Sequence, residues 1–476
     1  MKFRGRVTNH GLAALIEGSG FSSLDRFGEA LNARAWEMHG VKVYYDHVSI
    51  KRWLRGSVCQ YPEVVAVVLS DAWGVPIPVG VIWPNHRDGE GPVPAYLQPW
   101  VAARTLEELG IFLRSDMLTR RDVLSGVVGL ATGQTLIDPL TRWLGSNAIG
   151  LTAGHDSGGR IGMSTVAAIE RSTRYFSAMD AEIGGGLSRE AAVGQLKYAV
   201  DLAQQASYST SVGTRLLAAI ADLSSLVGWM SFDAGMNGPA QQYFVYGLQA
   251  AHEADDENTR LGIAAILGKM SYHMRAVGHP DTALQLINMA LNQVPNDRRR
   301  YNTVRATLWN LRAHMMAPMG VSYLPEIRNA ISLAVDLYGE SQHDETDPTV
   351  SRFWKYASEA ELAGVAAISY RDLADEKPEL ADESEHLTLR AIERRSPGFG
   401  RSQTFDQILL ARTRFLRSEP EQACVDGVKA IDMAAKVAAS KRVTSRLRDL
   451  MADSEPYQSR PDVKEFREHL RLVLAN

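Results

Sequence analysis

The chain is poor in cysteine: it has two in 476 residues, Cys59 and Cys424, far apart and in no CxxC pair. That excludes a disulfide scaffold and a thiolate zinc site, and suits a reducing cytoplasm. An uninterrupted apolar run of membrane length is also lacking. The most apolar window, Val123 to Leu140, is broken by Ser125, Gln134, Asp138 and Pro139, so a buried helix or hairpin is expected there and no membrane span. Met1 to Gly11 has no apolar h-region, so no secretory signal is expected. G-x-S-x-G, Walker and H-E-x-x-H motifs are absent, and Gly126, Gly129 and Gly133 have the wrong spacing for a dinucleotide fingerprint. Two polar runs, His252 to Glu257 and His343 to Asp347, lack metal-ligand periodicity. The sequence therefore points away from an enzyme and implies neither a cofactor nor a metal.

A strong net charge is missing as well, at −4 for the whole chain, with an ordinary 45% of hydrophobic residues. The distribution is uneven. Residues 1–60 carry nine Lys/Arg against five Asp/Glu, a net of +4, which leaves −8 for the remaining chain. A basic head on an acidic body implies that the head alone meets an anion.

Within that head, Tyr45 to Gln60 is the most informative stretch. Asp46 is a good N-cap for a helix that Gly56 stops. Ile50, Trp53 and Leu54 fall at i, i+3 and i+4 and would anchor one face in a small core. Val48, Ser49, Lys51, Arg52 and Arg55 point elsewhere. A free face with arginine and small polar groups is what a DNA major groove accepts.

Around this helix the first eighty residues read as a compact helical unit. Leu12, Leu15 and Ile16 mark one helix, Leu24, Phe27 and Leu31 a second, and Val64 to Trp73 a fourth. The polar Pro/Gly stretch from Asn85 to Pro94 is the best linker, and Gly154 to Gly159 reads as a second loop. From Ile161 the chain is helical nearly throughout. Ala240, Phe244 and Gly247 recur as Ala283, Ile287 and Ala290, and again as Ala423, Gly427 and Ala430, with weaker copies over 303–338 and 355–395. Gly235 breaks the helices before the first trio, and Pro295 ends the next unit. Small residues so placed let two antiparallel helices approach closely, as in a tetratricopeptide hairpin, although the interval from Ala240 to Ala283 marks degenerate units. The expected fold is all-α, with a helix-turn-helix domain over 1–83, a connecting segment over 84–159 and a tetratricopeptide-like α-solenoid over 160–476.

These features resemble the Streptomyces-type transcriptional regulators with an Xre-like helix-turn-helix head and a tetratricopeptide-like body. Val48 to Gly56, Leu226 to Gly235, and the turn of Asp180 with Gly184-Gly185-Gly186 carry the resemblance most specifically. It implies a repressor of differentiation and antibiotic production. It also places His47 and Val48 at base-reading positions, Arg52 one turn later, and Arg55 at a phosphate-contacting place. One departure stands out: residues 32–45 insert into the usually short turn, lengthening the second helix or adding a small hairpin.

The expectation is thus a cytoplasmic repressor, a homodimer, that binds a double-stranded DNA operator through Tyr45, His47, Val48, Ser49, Lys51, Arg52 and Arg55. Arg52 suits guanine and Arg55 phosphate. Lys2, Arg4 and Arg6 read as a frayed terminus, with a minor-groove arm as the alternative. A peptide or small-molecule effector would bind the body. Among Trp229, Phe232, Tyr243, Phe244 and Tyr246, helical spacing assigns most to the core, with Tyr243 and Tyr246 as exposed, effector-facing members. Arg298 to Arg300 reads as a solvated loop. The rival readings are a protein-binding adaptor whose head does not touch DNA, and an enzyme with a helical active site, for which no constellation is present.

Overall fold

The computed structural model describes residues 9–39, 42–57, 59–73, 77, 79–83, 95–97, 101–118, 130–146, 148, 159–186, 188–254, 257–296, 299–341, 357–437 and 440–475. Several sequence features lie outside these: the 2–6 arm, the 85–94 linker, residues 123–129 of the apolar window, the 154–158 loop, Asp255 and Asp256, Arg298, and the 343–347 run. The described residues are helical, with one isolated bridge between Arg160 and Ser207 as their extended pairing. They form two compact units, Met1–Pro99 with Arg114–Leu140, and Trp100–Leu113 with Thr141–Asn476.

In the first unit, α1 (His10–Gly18), α2 (Leu24–His39), α3 (His47–Leu54), α4 (Pro62–Trp73) and the short α5 (Val79–Ile82) enclose one core. The apolar spacings in the sequence correspond to that core: Leu12, Ile16, Phe27, Leu31, Ile50, Trp53, Leu69 and Trp83 are buried together. Asn9 ties it shut. Its Oδ1 accepts the Leu12 amide at 2.9 Å and caps α1. Its own amide donates to the Leu54 carbonyl at 3.0 Å, and its Nδ2 to the Ile82 carbonyl at 2.6 Å.

Two helices follow, α6 (Ala102–Leu118) and α7 (Gln134–Leu144). The expected helix in the apolar window is α7, which buries Leu136, Ile137 and Leu140 and tolerates Pro139 inside it.

In the second unit consecutive helices pair into hairpins. After α8 (Met163–Ile183) and α9 (Arg189–Gln205) come α10 (Thr210–Asp233) with α11 (Asn237–Ala254), α12 (Glu257–Ala276) with α13 (Pro280–Gln293), and α14 (Asn302–Met316) with α15 (Leu324–Gly339). Then follow α16 (Glu359–Ala374) with α17 (Leu380–Arg394), α18 (Gly400–Leu416) with α19 (Pro420–Ala434), and α20 (Lys441–Asp453) with α21 (Pro461–Ala475). The three alanine-led trios all fall on the second helix of a hairpin, and every member is buried. Gly228 shows why small residues are needed: a Cβ there would stand 2.9 Å from the Phe244 ring and 3.1 Å from the Ala240 carbonyl. Helix α10 is long and apolar enough by composition to cross a membrane, with a mean hydropathy of 1.3 over its most apolar window, and 94% of that window is buried inside the protein.

The repeat is written most clearly in its turns. Gly235, Gly278 and Ser418 each adopt positive φ (81°, 88° and 61°), and each precedes the leading alanine of a trio by five positions. The same pair of backbone bonds closes each turn. Gly235 donates to Phe232 and Met236 to Ser231, Gly278 to Arg275 and His279 to Met274, and Ser418 to Phe415 and Glu419 to Arg414. Ser418 is the only non-glycine at positive φ among the described residues, and the Tyr457 hydroxyl donates to its Oγ at 3.0 Å. Gly278 faces open space, so Gly278→Ala should cost only the left-handed backbone penalty, about 1–2 kcal/mol. Chemical denaturation of the variant measures this, and an unchanged midpoint would show that the turn relaxes freely.

Candidate nucleic-acid interface and the pocket of the helical body

Helix α3 begins where Asp46 caps it. The Asp46 Oδ1 accepts from the Ser49 amide at 2.8 Å and from the Ser49 hydroxyl at 2.9 Å. Those two bonds, the backbone one first, hold the Asp46 carboxyl below its ordinary pKa. Ile50, Trp53 and Leu54 are buried, as the i, i+3, i+4 spacing predicts. On the other side Val48, Lys51, Arg52 and Arg55 are exposed and follow i, i+3, i+4, i+7, so they share one outward face. Among the described residues no carboxylate lies within ion-pair distance of Lys51, Arg52 or Arg55. His47 is half-exposed at the N-terminal edge, with its Nδ1 3.0 Å from Asp25 Oδ1 on the first turn of α2. Ser49 turns its hydroxyl back into the cap.

Tyr45 departs from the expected outward position. Its ring packs edge-on against Trp53, with centroids 4.9 Å apart, and burial followed by the neighbouring Cys59 thiol pushes its hydroxyl pKa well up. The phenol belongs to the inner side of α3 because the residues leading into the helix are clamped to α2. Asn32 Oδ1 accepts the Tyr45 amide at 2.7 Å, and Asn32 Nδ2 donates to the Tyr45 carbonyl at 3.1 Å. Gly28, one turn earlier on α2, leaves room for that carbonyl, which a Cβ would meet at 2.5 Å. The insertion at 32–45 is thus an extension of α2 to His39, followed by an irregular lead-in to α3. It leaves Trp36, Met38 and Tyr44 exposed, Tyr44 by 84%.

In the body, the effector residues expected from sequence are corrected. Tyr243 and Tyr246 are fully buried. Phe112 of α6 covers both, with its ring centroid 4.9 Å from Tyr243 and 5.9 Å from Tyr246. A residue more than a hundred positions upstream makes that face of α11 interior, which helical spacing within α11 does not reveal.

The cavity lies elsewhere. It measures about 140 Å³ and is formed by the first helices of successive hairpins, with Trp229 from α10, Lys269 and Tyr272 from α12, Leu308 from α14, Val365 from α16 and Phe405 from α18 among its lining. Arg442 of α20 reaches in, its guanidinium 4.8–5.2 Å from the ring centroids of Trp229, Phe232, Tyr272 and Phe405. Arg395 is held between Glu361 and Asp406, at 2.9 and 3.0 Å from the Asp406 oxygens. Burial raises the Asp406 carboxyl to about 7 against the pull of Arg395. Arg401 forms a bidentate pair with Asp180, both bonds 2.9 Å, and stands 3.3 Å from Asp233. Asp180, the turn Gly184 to Gly186 and the segment Leu226 to Gly235 therefore meet around one buried charge cluster, where the Gly185 amide also donates to Asp233 at 3.3 Å.

Nearby histidines are built to stay neutral. Burial lowers His273 to about 3 and drives His314 well below the usual imidazole range. The thiols are equally quiet: burial pushes Cys59 up and Cys424 up to about 11. Among the described residues no group of three or more His, Cys, Asp or Glu is placed to hold a metal ion. Lys269 was the legible signal for the cavity, a lone lysine in the apolar run from Leu261 to Met274.

No curated protein matches the chain. Residues 12–82, from within α1 to the end of α5, match a family model described as the SP15 N-terminal domain.

Proposed function

We propose that this protein is a sequence-specific DNA-binding transcriptional regulator, a homodimeric repressor whose head carries a helix-turn-helix and whose tetratricopeptide-like body senses an effector. The observation that carries the reading is α3 itself: packed through Ile50, Trp53 and Leu54, it offers Val48, Lys51, Arg52 and Arg55 outward with no acidic partner among the described residues. A rigidly anchored helix with an unpaired basic face suits a major groove, with Arg52 against guanine, Arg55 and Lys51 against phosphates, and His47 and Val48 toward base edges. Ser49 supports the face by holding the cap. Two heads would read half-sites about 34 Å apart, one helical turn of DNA. An effector that favours one body conformation over another would change how the heads are presented.

The test is binding of the full chain to fragments of its own promoter region, with half-sites taken from genome-wide mapping. Arg52→Ala should lose about 1–3 kcal/mol on the specific site and relax sequence preference. Arg55→Ala should weaken all sequences alike and flatten the salt dependence by about one charge. Unchanged specific affinity in Arg52→Ala, or a flat salt dependence in the parent protein, would sink the assignment.

The exposure of Trp36, Met38 and Tyr44 favours a second reading, a protein-binding adaptor. Recovery of a stable partner lost on Trp36→Ser, with no DNA bound at any salt, would select it.

A further inference from the structure

Every arginine that lines the body's cavity already has its carboxylate. Arg395 has Glu361 and Asp406, Arg401 has Asp180 and Asp233, and Arg442 lies 3.6 Å from Asp233 inside its cage of aromatic rings. Lys269 is the exception. Its ammonium donates to the Ser225 hydroxyl at 2.9 Å, and among the described residues no carboxylate lies within ion-pair distance of it. Asp222 and Asp180 act on it only from farther away, and burial outweighs them, lowering the lysine to about 8. It thus stays charged at neutral pH, deep in the fold yet partly open to the lumen.

An ammonium removed from water without a contacting anion is unfavourable, and natural sites tolerate one where a ligand brings the opposite charge. The surroundings define the rest of that ligand. Trp229, Tyr272 and Phe405 supply flat walls, Leu308 and Val365 aliphatic ones. A volume of about 140 Å³ is close to the roughly 150 Å³ that accommodates a benzene molecule. Lys269 is the cavity cation without a contacting carboxylate among the described residues, so one ligand carboxylate completes its pairing; a phosphate ester or polyphosphate would bring a second negative charge beside Glu361 and Asp406 with no further unpartnered lining cation to meet it.

We propose that this cavity binds a carboxylate on a single-ring-sized apolar body, with the carboxylate paired to Lys269 and the apolar part held against Leu308 and Val365 and the ring faces that Arg442 leaves uncovered. This names the effector class for the regulator reading above and rests on that reading only for its consequence on DNA. The same chemistry could arrive as a free small acid or as the C-terminal residue of a peptide.

Calorimetric titration of the full chain without DNA tests the proposal, using phenylacetate, its neutral isostere phenylacetamide, and N-acetyl-glycyl-phenylalanine. Phenylacetate should bind at least about tenfold more tightly than the amide, as expected for a charge-assisted bond. Lys269→Met should abolish that preference while raising the unfolding temperature of the unliganded protein. Tighter binding of the peptide acid than of phenylacetate would assign the site to a chain end; the reverse would assign it to a free acid. Equal affinity for acid and amide in the parent protein, or a preference that survives Lys269→Met, would overturn the proposal. A lower unfolding temperature in Lys269→Met would equally overturn it, because the lysine would then be structural. Since no DNA is present, failure here leaves the reading of α3 standing, and failure of Arg52→Ala to alter DNA binding leaves this site standing.

Discussion

Arg401→Ala should destabilise the helical body by about 3–5 kcal/mol, the range found when one partner of a buried pair is removed. Arg401 and Asp180 are both nearly inaccessible, at 6% and 2%, and their bidentate geometry places two parallel bonds of 2.9 Å between them. Removing the guanidinium leaves Asp180 charged in the interior with its direct cation gone. Asp233, wholly buried, would keep the Ser440 hydroxyl at 2.9 Å, the Gly185 amide and Arg442, so most of the loss should fall on Asp180. The double variant Arg401→Met with Asp180→Leu should recover much of the stability, because an apolar pair of similar volume removes both desolvation penalties. Arg26→Ala is the contrast: its pair with Glu29 is 70% and 62% exposed, and its loss should stay within about 0.5 kcal/mol. Denaturant midpoints of the four proteins decide the matter. A loss below about 1 kcal/mol for Arg401→Ala would mean that water reaches the cluster.

Gly28→Ala should be nearly as damaging, and in the head. Alanine inside a helix normally stabilises relative to glycine by about 0.5–1 kcal/mol, through the entropy of the unfolded chain. Position 28 should reverse that sign, since the new methyl would meet the Tyr45 carbonyl oxygen at 2.5 Å and that oxygen is backbone. To make room, the segment leading into α3 has to move off α2 and break the Asn32 clamp, at a cost of about 1–3 kcal/mol typical of overpacking. Because the same segment sets the direction of α3, DNA affinity should fall together with stability. Gly194→Ala in α9, which faces open space, should follow the normal rule and stabilise the body. If both variants gain stability, the close approach of Tyr45 to α2 does not exist in solution.

Local physics made the head legible. The cap at Asp46, the inward trio Ile50, Trp53 and Leu54 and the stop at Gly56 involve residues within one or two turns of each other, and sequence spacing reports such neighbours directly. The all-helical body and its small-residue trios were legible for the same reason, as was the glycine turn at 235, whereas the equivalent turn at Gly278 emerges only from its positive φ. Ser418 was not legible either, because a serine held at positive φ relies on Tyr457, thirty-nine residues away. Tyr45 and Tyr243 were misplaced for a related reason. What makes each ring interior is a clamp or a cover from another element, Asn32 in one case and Phe112 in the other. The cavity was hidden most completely. Six helices contribute to it, and its one local sign was a lysine standing in an apolar run.

The charge cluster of Asp180, Asp233, Arg401, Ser440 and Arg442 also bears on how this protein is made. The directly bonded pair Asp180 and Arg401 are 221 residues apart in sequence. An array whose repeats touched only their neighbours could fold behind the ribosome one hairpin at a time. Here the carboxylates of α8 and α10 remain without their cations until residues 401–442 have left the exit tunnel. The first compact unit, Met1–Pro99 with Arg114–Leu140, is made early and can finish early, whereas the opening hairpins of the body must wait through most of translation for the final helices. A ribosome stalled before residue 401 would therefore carry a finished head on a body whose first helices are still open to proteases, and emergence of residues 401–442 would close them together.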